Sequence, residues 1–154
     1  MSKKVHKYVP KIFESDNELL PKRKNGNNAT DVSANIYGSM ILSDAWGELN
    51  LRQMKLYIAC KHQYYAEKKN PADLITVIEK EENKTPDLTQ RFTMNKSKWC
   101  DIYKIYPSSA SSVFYKDIVI LENLGFIDIL QRGGESRIKN IYQLSSRWRD
   151  YKKH

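Results

Sequence analysis

At 154 residues, 40% hydrophobic and 29% charged, the chain has the size of one globular domain with a tail, and a wholly disordered polymer is excluded. Its longest apolar runs, 40–42 and 118–121, fall far short of the ~20 residues of a membrane helix, and the lysine-bearing start lacks a signal peptide's apolar stretch, so a soluble, cytoplasmic protein is expected. The net charge of +8 is uneven: residues 1–34 carry seven basic and four acidic side chains, 35–90 seven and eight, and 91–154 twelve and six, a balance that favours a polyanionic partner for the C-terminal half.

Residues 1–34 mix Lys with Asn, Gly and Pro without a sustained period and read as a basic, largely flexible arm, with 21–30 (PKRKNGNNAT) as its most linker-like part. Val9, Ile12, Phe13, Leu19 and Leu20 could dock as a short strand or helix on the domain or on a partner chain. From Asn35 the texture changes, with Ile36, Met40 and Ile41 leading into Ser43, Asp44 and Trp46. Asn50 and Gln53 form a capping box in outline before a helix through 51–69, with Leu51, Met54, Ile58 and Tyr65 as its buried stripe and Tyr57 beside it. Asn70-Pro71 restarts the chain, since Pro suits a first helical position and Asn can cap it. Two or three turns should follow with Leu74, Ile75 and Ile78 inward, then a loop over 84–89. Cys60 and Cys100, in apolar-periodic surroundings and too few for a disulfide framework, are expected as reduced core residues.

Asn95 can cap a helix through KSKWCDIYKIY, where Trp99, Ile102, Tyr103 and Tyr106 recur at spacings of three and four, and Pro107 ends it. A second helix runs through ASSVFYKDIVILENL, with Phe114, Ile118, Leu121 and Val113 as its inward candidates and Gly125 at the left-handed position that closes a helix. FIDIL and IYQLS read as the strands of a hairpin whose polar tip turns at Gly133-Gly134.

This order of helix, tight turn, helix and two-stranded hairpin, from Phe92 to about Trp148, resembles the winged helix-turn-helix. Within it, SSVFYKDIVILENLGFIDILQRGG and NIYQLSSRW look like the recognition helix, first wing strand and closing strand of small DNA-binding proteins from bacterial, Gram-positive type, plasmids and conjugative mobile elements. The resemblance implies a mainly α fold with a small β-hairpin: an arm over 1–34, then a winged helix-turn-helix domain over 35–154. The helix starting at Leu51 would be that domain's first, and residues 70–91 an insertion that departs from the compact pattern. It also implies duplex DNA binding.

In such a fold the start of the second helix enters the major groove, which selects Ser109, Ser111, Ser112, Tyr115 and Lys116 as contacts; N-capping is the plainer role for one or two of the serines. At the hairpin tip, Arg132, Arg137 and Lys139 can lie over the minor groove or grip its phosphates, against the plainer reading of a solvated turn. Lys96 and Lys98 are candidates for backbone contacts. Arg147, Arg149, Lys152 and Lys153 could reach phosphate or merely solvate a tail, and Lys3, Lys4, Lys7, Lys22, Arg23 and Lys24 could add sequence-independent affinity. Tyrosine stacking on unpaired bases is conceivable, but most tyrosines fall on apolar helical faces and core packing explains them better.

Catalysis is not expected. A glycine-rich phosphate loop, a paired-Cys motif and clustered histidines are all missing: His6, His62 and His154 are scattered, Cys60 with His62 supplies two zinc ligands of the usual four, and a DNA-cutting tyrosine would need a histidine metal site. Asp117 and Glu122 read as solvated helix positions. No cofactor or metal is expected. The leading expectation is a sequence-specific duplex DNA-binding protein, a homodimer on its site in the manner of helix-turn-helix proteins, serving transcription, replication or conjugative transfer. The rival is an adaptor that recruits a relaxase or replication protein through the winged domain.

Overall fold

The computed structural model describes residues 15–20, 22, 24, 26, 31–66, 70–134 and 137–154. By its internal contacts the chain divides between Ser33 and Ala34. The described part of the first unit holds a 3-10 turn at Asn17–Leu19 and a hydrogen bond from the Ser15 hydroxyl to Asp31. The expectations placed on Lys3, Lys4, Lys7, Arg23, Val9, Ile12 and Phe13, and most of the linker over 21–30, lie outside the described residues.

The second unit is mixed helix with a small three-stranded antiparallel sheet. Two one-turn helices open it, α1 (Gly38–Ile41) and α2 (Asp44–Gly47), the latter capped by the Ser43 hydroxyl, which accepts from the Trp46 amide at 3.2 Å. They bring Met40 and Ala45 into the core. Helix α3 (Leu51–Ala66) then starts on the expected capping box: the Asn50 side chain accepts from the Gln53 amide at 2.9 Å, and the Gln53 side chain accepts from the Asn50 amide at 3.0 Å.

The buried face of α3 differs from the expected stripe. Leu51 is 84% exposed, and Ile58 and Tyr65 also face outward, while Gln53, Leu56, Tyr57, Cys60 and Gln63 are buried. Both sets recur at three- and four-residue spacing, so period alone fits either face. The inward set was hidden because its glutamines find polar partners inside: Gln53 donates to Asp117 at 3.1 Å, and Gln63 accepts from the Tyr103 hydroxyl at 3.1 Å.

The segment after Pro71 forms a 3-10 turn (Pro71–Leu74) capped by Asn70, then α4 (Val77–Glu81). Leu74 turns inward as expected, but Ile78 is 65% exposed. A second capping box explains the shift: Thr76 and Glu79 satisfy each other's backbone amides and fix a fresh helix start, which re-aims Ile78. Asn83 ends α4 at φ 51°, a conformation that its short polar side chain tolerates.

Strand β1 (Arg91–Phe92) follows, too short to leave an alternation in the sequence. It pairs antiparallel with β3 (Ile141–Leu144), which also pairs with β2 (Ile127–Gln131), giving the order β1-β3-β2. The expected hairpin is therefore the larger part of a three-stranded sheet. Arg91 buries its guanidinium against the preceding segment, 2.7 Å from Glu79 and 3.1 Å from the Leu74 carbonyl, so residues 70–91 are clasped to the sheet.

Between β1 and β2 lie a helical turn of π type (Ser97–Ile102) and α5 (Ser111–Asn123). Asn95 caps the first as expected, accepting from the Lys98 amide at 3.2 Å, but the turn stops at Ile102, and Ile102 is 61% exposed. The helix ends four residues before Tyr106 because the chain reverses through Lys104 at φ 52°. Phe114, Ile118 and Leu121 of α5 are buried as expected, with Trp99 stacked on Phe114 at 5.2 Å between ring centres. Gly125 takes φ +87°, and a Cβ there would stand 2.4 Å from the Trp148 backbone nitrogen, so the residue must be glycine for both reasons. Cys60 is buried and Cys100 half-buried, both as free thiols.

Asp117 is the largest departure from expectation. It is 1% exposed and accepts from Arg52 at 2.6 and 3.2 Å, from the Tyr106 hydroxyl at 2.6 Å and from Gln53 at 3.1 Å. Burial pushes its pKa up, and the hydrogen bonds from Arg52, Tyr106 and Gln53 more than offset this, leaving it below the usual carboxylate range. Three segments (α3, the stretch that follows the π-type turn and the middle of α5) thus converge on one carboxylate. Glu122 is also tied, accepting from the Ile129 amide at 3.1 Å. The basic C-terminal run is fastened in part: Arg147 meets Asp128 at 2.6 Å and Lys153 meets Glu48 at 2.9 Å.

Candidate nucleic-acid interface

Helix α5 is the element that positions the predicted contacts. Its buried side is set by Phe114, Asp117, Ile118 and Leu121, so residues three and four apart on the other side, Ser112, Tyr115, Lys116 and Asn123, face solvent. The helix opens from a turn in which the Ala110 amide donates to the Pro107 carbonyl at 3.0 Å. Ala110 occupies the cap position and no side chain caps the helix, so Ser109, Ser111 and Ser112 are exposed without the capping role that would have explained them plainly. Unused amides at this end also carry the positive end of the helix dipole.

The hairpin supplies the second half. Its strands lose register between Ile129 and Gln131, which bends the outgoing limb. At the tip the Gly133 amide donates to the Asn140 side chain at 2.6 Å, and a Cβ on Gly133 would lie 2.3 Å from the Ile138 carbonyl oxygen. Asn140 also donates to the Tyr115 hydroxyl at 3.4 Å, which joins the returning limb to the exposed side of α5.

A cleft of about 560 Å³ lies where these parts meet, and it gathers four of the predicted residues: Lys96, Lys98, Tyr115 and Lys139, together with Asn140 and Asp73. The others are placed around it in different ways. Ser109, Ser111, Ser112 and Lys116 are exposed on α5 or just before it. Arg137 is exposed beside Lys139 and lines a smaller cleft on the side of α4. Arg132 leans toward Glu122, 3.7 Å away, and keeps 65% of its side chain exposed.

Two predicted phosphate contacts need correction. Lys98 is buried, its ammonium 2.9 Å from the Thr93 hydroxyl and 3.3 Å from the Thr93 carbonyl, because the tight π-type turn directs it back toward the strand end. Lys139 is exposed but paired with Asp73 at 2.8 Å, and this contact holds the Asp73 carboxyl below its usual range. Lys116, Lys96 and Arg137 are exposed and meet no carboxylate among the described residues. Asn140 escaped the sequence reading, although an Asn seven residues beyond Gly133 at the far side of a glycine turn is a reasonable clasp.

Most aromatic rings have other work. Tyr57, Tyr106 and Tyr142 are buried, and Phe126 stacks on Trp148 at 6.4 Å. Among the described residues no helix is long and apolar enough to cross a membrane. No family model matches the chain, and no curated protein or solved structure shows significant similarity to it.

Proposed function

We propose that the protein is a sequence-specific duplex DNA-binding protein of the winged helix-turn-helix kind, of a plasmid or mobile element, with α5 as the recognition helix and the β2–β3 hairpin as the wing. The observation that carries this reading is the joining of α5 to the returning limb of the hairpin at one cleft, where Lys96, Tyr115 and Lys139 meet beside an exposed serine-rich helix start. The sheet order adds support, since β1 ties the segment before the π-type turn to the hairpin.

In this reading Ser112, Tyr115 and Lys116 face base edges in the major groove, Ser109 and Ser111 meet phosphate with the helix dipole behind them, and Arg132, Arg137 and Lys139 lie on the flanking backbone or minor groove. Lys139 exchanges Asp73 for phosphate at little cost, because the pair is solvent-exposed. Two copies per site supply the length of sequence that one recognition helix cannot read. Mobility-shift titrations over a range of salt test the assignment. Lys116→Ala should weaken binding and alter sequence preference, whereas Arg137→Ala should weaken specific and non-specific binding alike. Parental behaviour of both variants would reject it.

The adaptor alternative has its own observation. Leu51, Ile58 and Tyr65 on α3 and Ile102 on the π-type turn are exposed, and such surface suits a protein partner. Tight association with a relaxase or replication protein without DNA, and no salt-dependent duplex binding, would favour it.

A further inference from the structure

A second cleft, of about 530 Å³ and sharing no lining residue with the one above, opens where α1, α3 and the C-terminal segment meet; its walls include Tyr37, Met40, Tyr57, Lys61, Trp148 and Arg149. The unusual member is Lys61. It is 7% exposed, and its ammonium donates to the Asn35 carbonyl with the rings of Tyr37 and Tyr57 at 5.9 and 6.0 Å. Among the described residues no carboxylate comes within ion-pair distance of it. The two that line the same cleft are engaged elsewhere: Asp128 is bonded to Arg147 at 2.6 Å, and Asp87 accepts from the Thr89 amide at 2.9 Å.

An ammonium has three donors, and a buried cation without a countercharge is costly unless something supplies one. Desolvation accordingly lowers the pKa of Lys61. The surrounding surface is aromatic at two levels. Tyr57 and Trp148 are buried in the floor, while Tyr37 and Tyr65 stand at the rim with 67% and 51% of their surfaces exposed. The Arg149 guanidinium sits 5.6 Å from the Trp148 ring and adds a second positive group at the mouth. The volume falls within the usual range for a small-molecule site.

We propose that this cleft binds a small planar aromatic carboxylate, its carboxylate paired with Lys61 and its ring against the tyrosine wall. Calorimetric titration of the full chain, without DNA, with 2-naphthoate and with the neutral 2-naphthamide tests it. One saturable site is expected for the acid. The amide should bind about tenfold or more weaker, because its carbonyl accepts without the charge, and Lys61→Met should cost the acid a similar factor, because it removes the charged donor. Tyr37→Ala, at an exposed rim position, should weaken the acid several-fold, and Lys80→Ala, away from the cleft, should leave it unchanged. Absence of saturable binding, equal affinity for acid and amide, or parental affinity in Lys61→Met overturns the proposal. Should Lys61→Met fail to fold, the acid–amide pair and Tyr37→Ala decide the matter.

Discussion

The seam between α3 and α5 and the outward face of α5 use similar side chains for opposite purposes. In the seam, Arg52, Gln53 and Tyr106 close around Asp117, and the arginine's charge is consumed in holding the helices together. On the outward face, among the described residues, Lys116 meets no carboxylate and the Tyr115 hydroxyl accepts from the wing's Asn140. The same contrast runs through the whole C-terminal half. Arg91 and Arg147 are clamped by Glu79 and Asp128, whereas Lys96 and Arg137 are exposed and meet no carboxylate among the described residues. Net basic charge therefore overstates the footprint available to a polyanion; the count that matters is of cations without an internal partner.

Breaking the seam should produce the largest effect. Asp117→Ala leaves the Gln53 amide and Tyr106 hydroxyl buried without their acceptor and should destabilise the fold by about 3 kcal/mol, below the upper range for buried pairs because the Arg52 side chain is 45% exposed. Denaturant midpoints at constant slope would measure it. Gly125→Ala attacks the join between α5 and the sheet through its positive φ and the 2.4 Å approach to Trp148, and about 2 kcal/mol is expected by the same assay.

The outward face should respond in the opposite manner, with function lost and stability kept. Lys116→Ala should cost about 1–3 kcal/mol of specific DNA affinity, and Arg137→Ala should lower the magnitude of the salt slope by about 1. Both variants should melt with the parent.

Acid offers a smaller and graded test of the clamped cations. The hydrogen bond from Arg91 holds Glu79 down from 4.5 to about 2, so its contribution is full above the unfolded value and is lost as pH falls from 4.5 toward 2. Asp117, also depressed, adds to the loss in the same direction. Arg91→Met should flatten the acid limb of a stability–pH curve; an unchanged limb would show that the pair contributes nothing there.

The elements with local signals were legible in the sequence. Asn50 with Gln53, Asn70 before Pro71, Asn95 and Gly125 each act within a few residues, and each marks the helix boundary that its chemistry demands. What depended on distant partners was not legible. The inward face of α3 is chosen by Asp117, 64 residues from Gln53, and two residues of β1 become a strand only because β3 lies alongside. In the candidate site, exposure of the α5 serines and Lys116 followed from the apolar period, while the burial of Lys98 depended on the π-type turn that aims it at Thr93 and the pairing of Lys139 with Asp73 on the folded insertion.

The central claim is that α5 and the wing address one duplex together. Ser112→Cys and Arg137→Cys, each carrying a tethered iron chelate that cleaves DNA, measure this directly on a bound site. The account predicts cuts from both positions on the same duplex, separated by no more than about one helical turn, ~10 base pairs. Cleavage from only one position, or from neither, under conditions where the protein is bound, would contradict it.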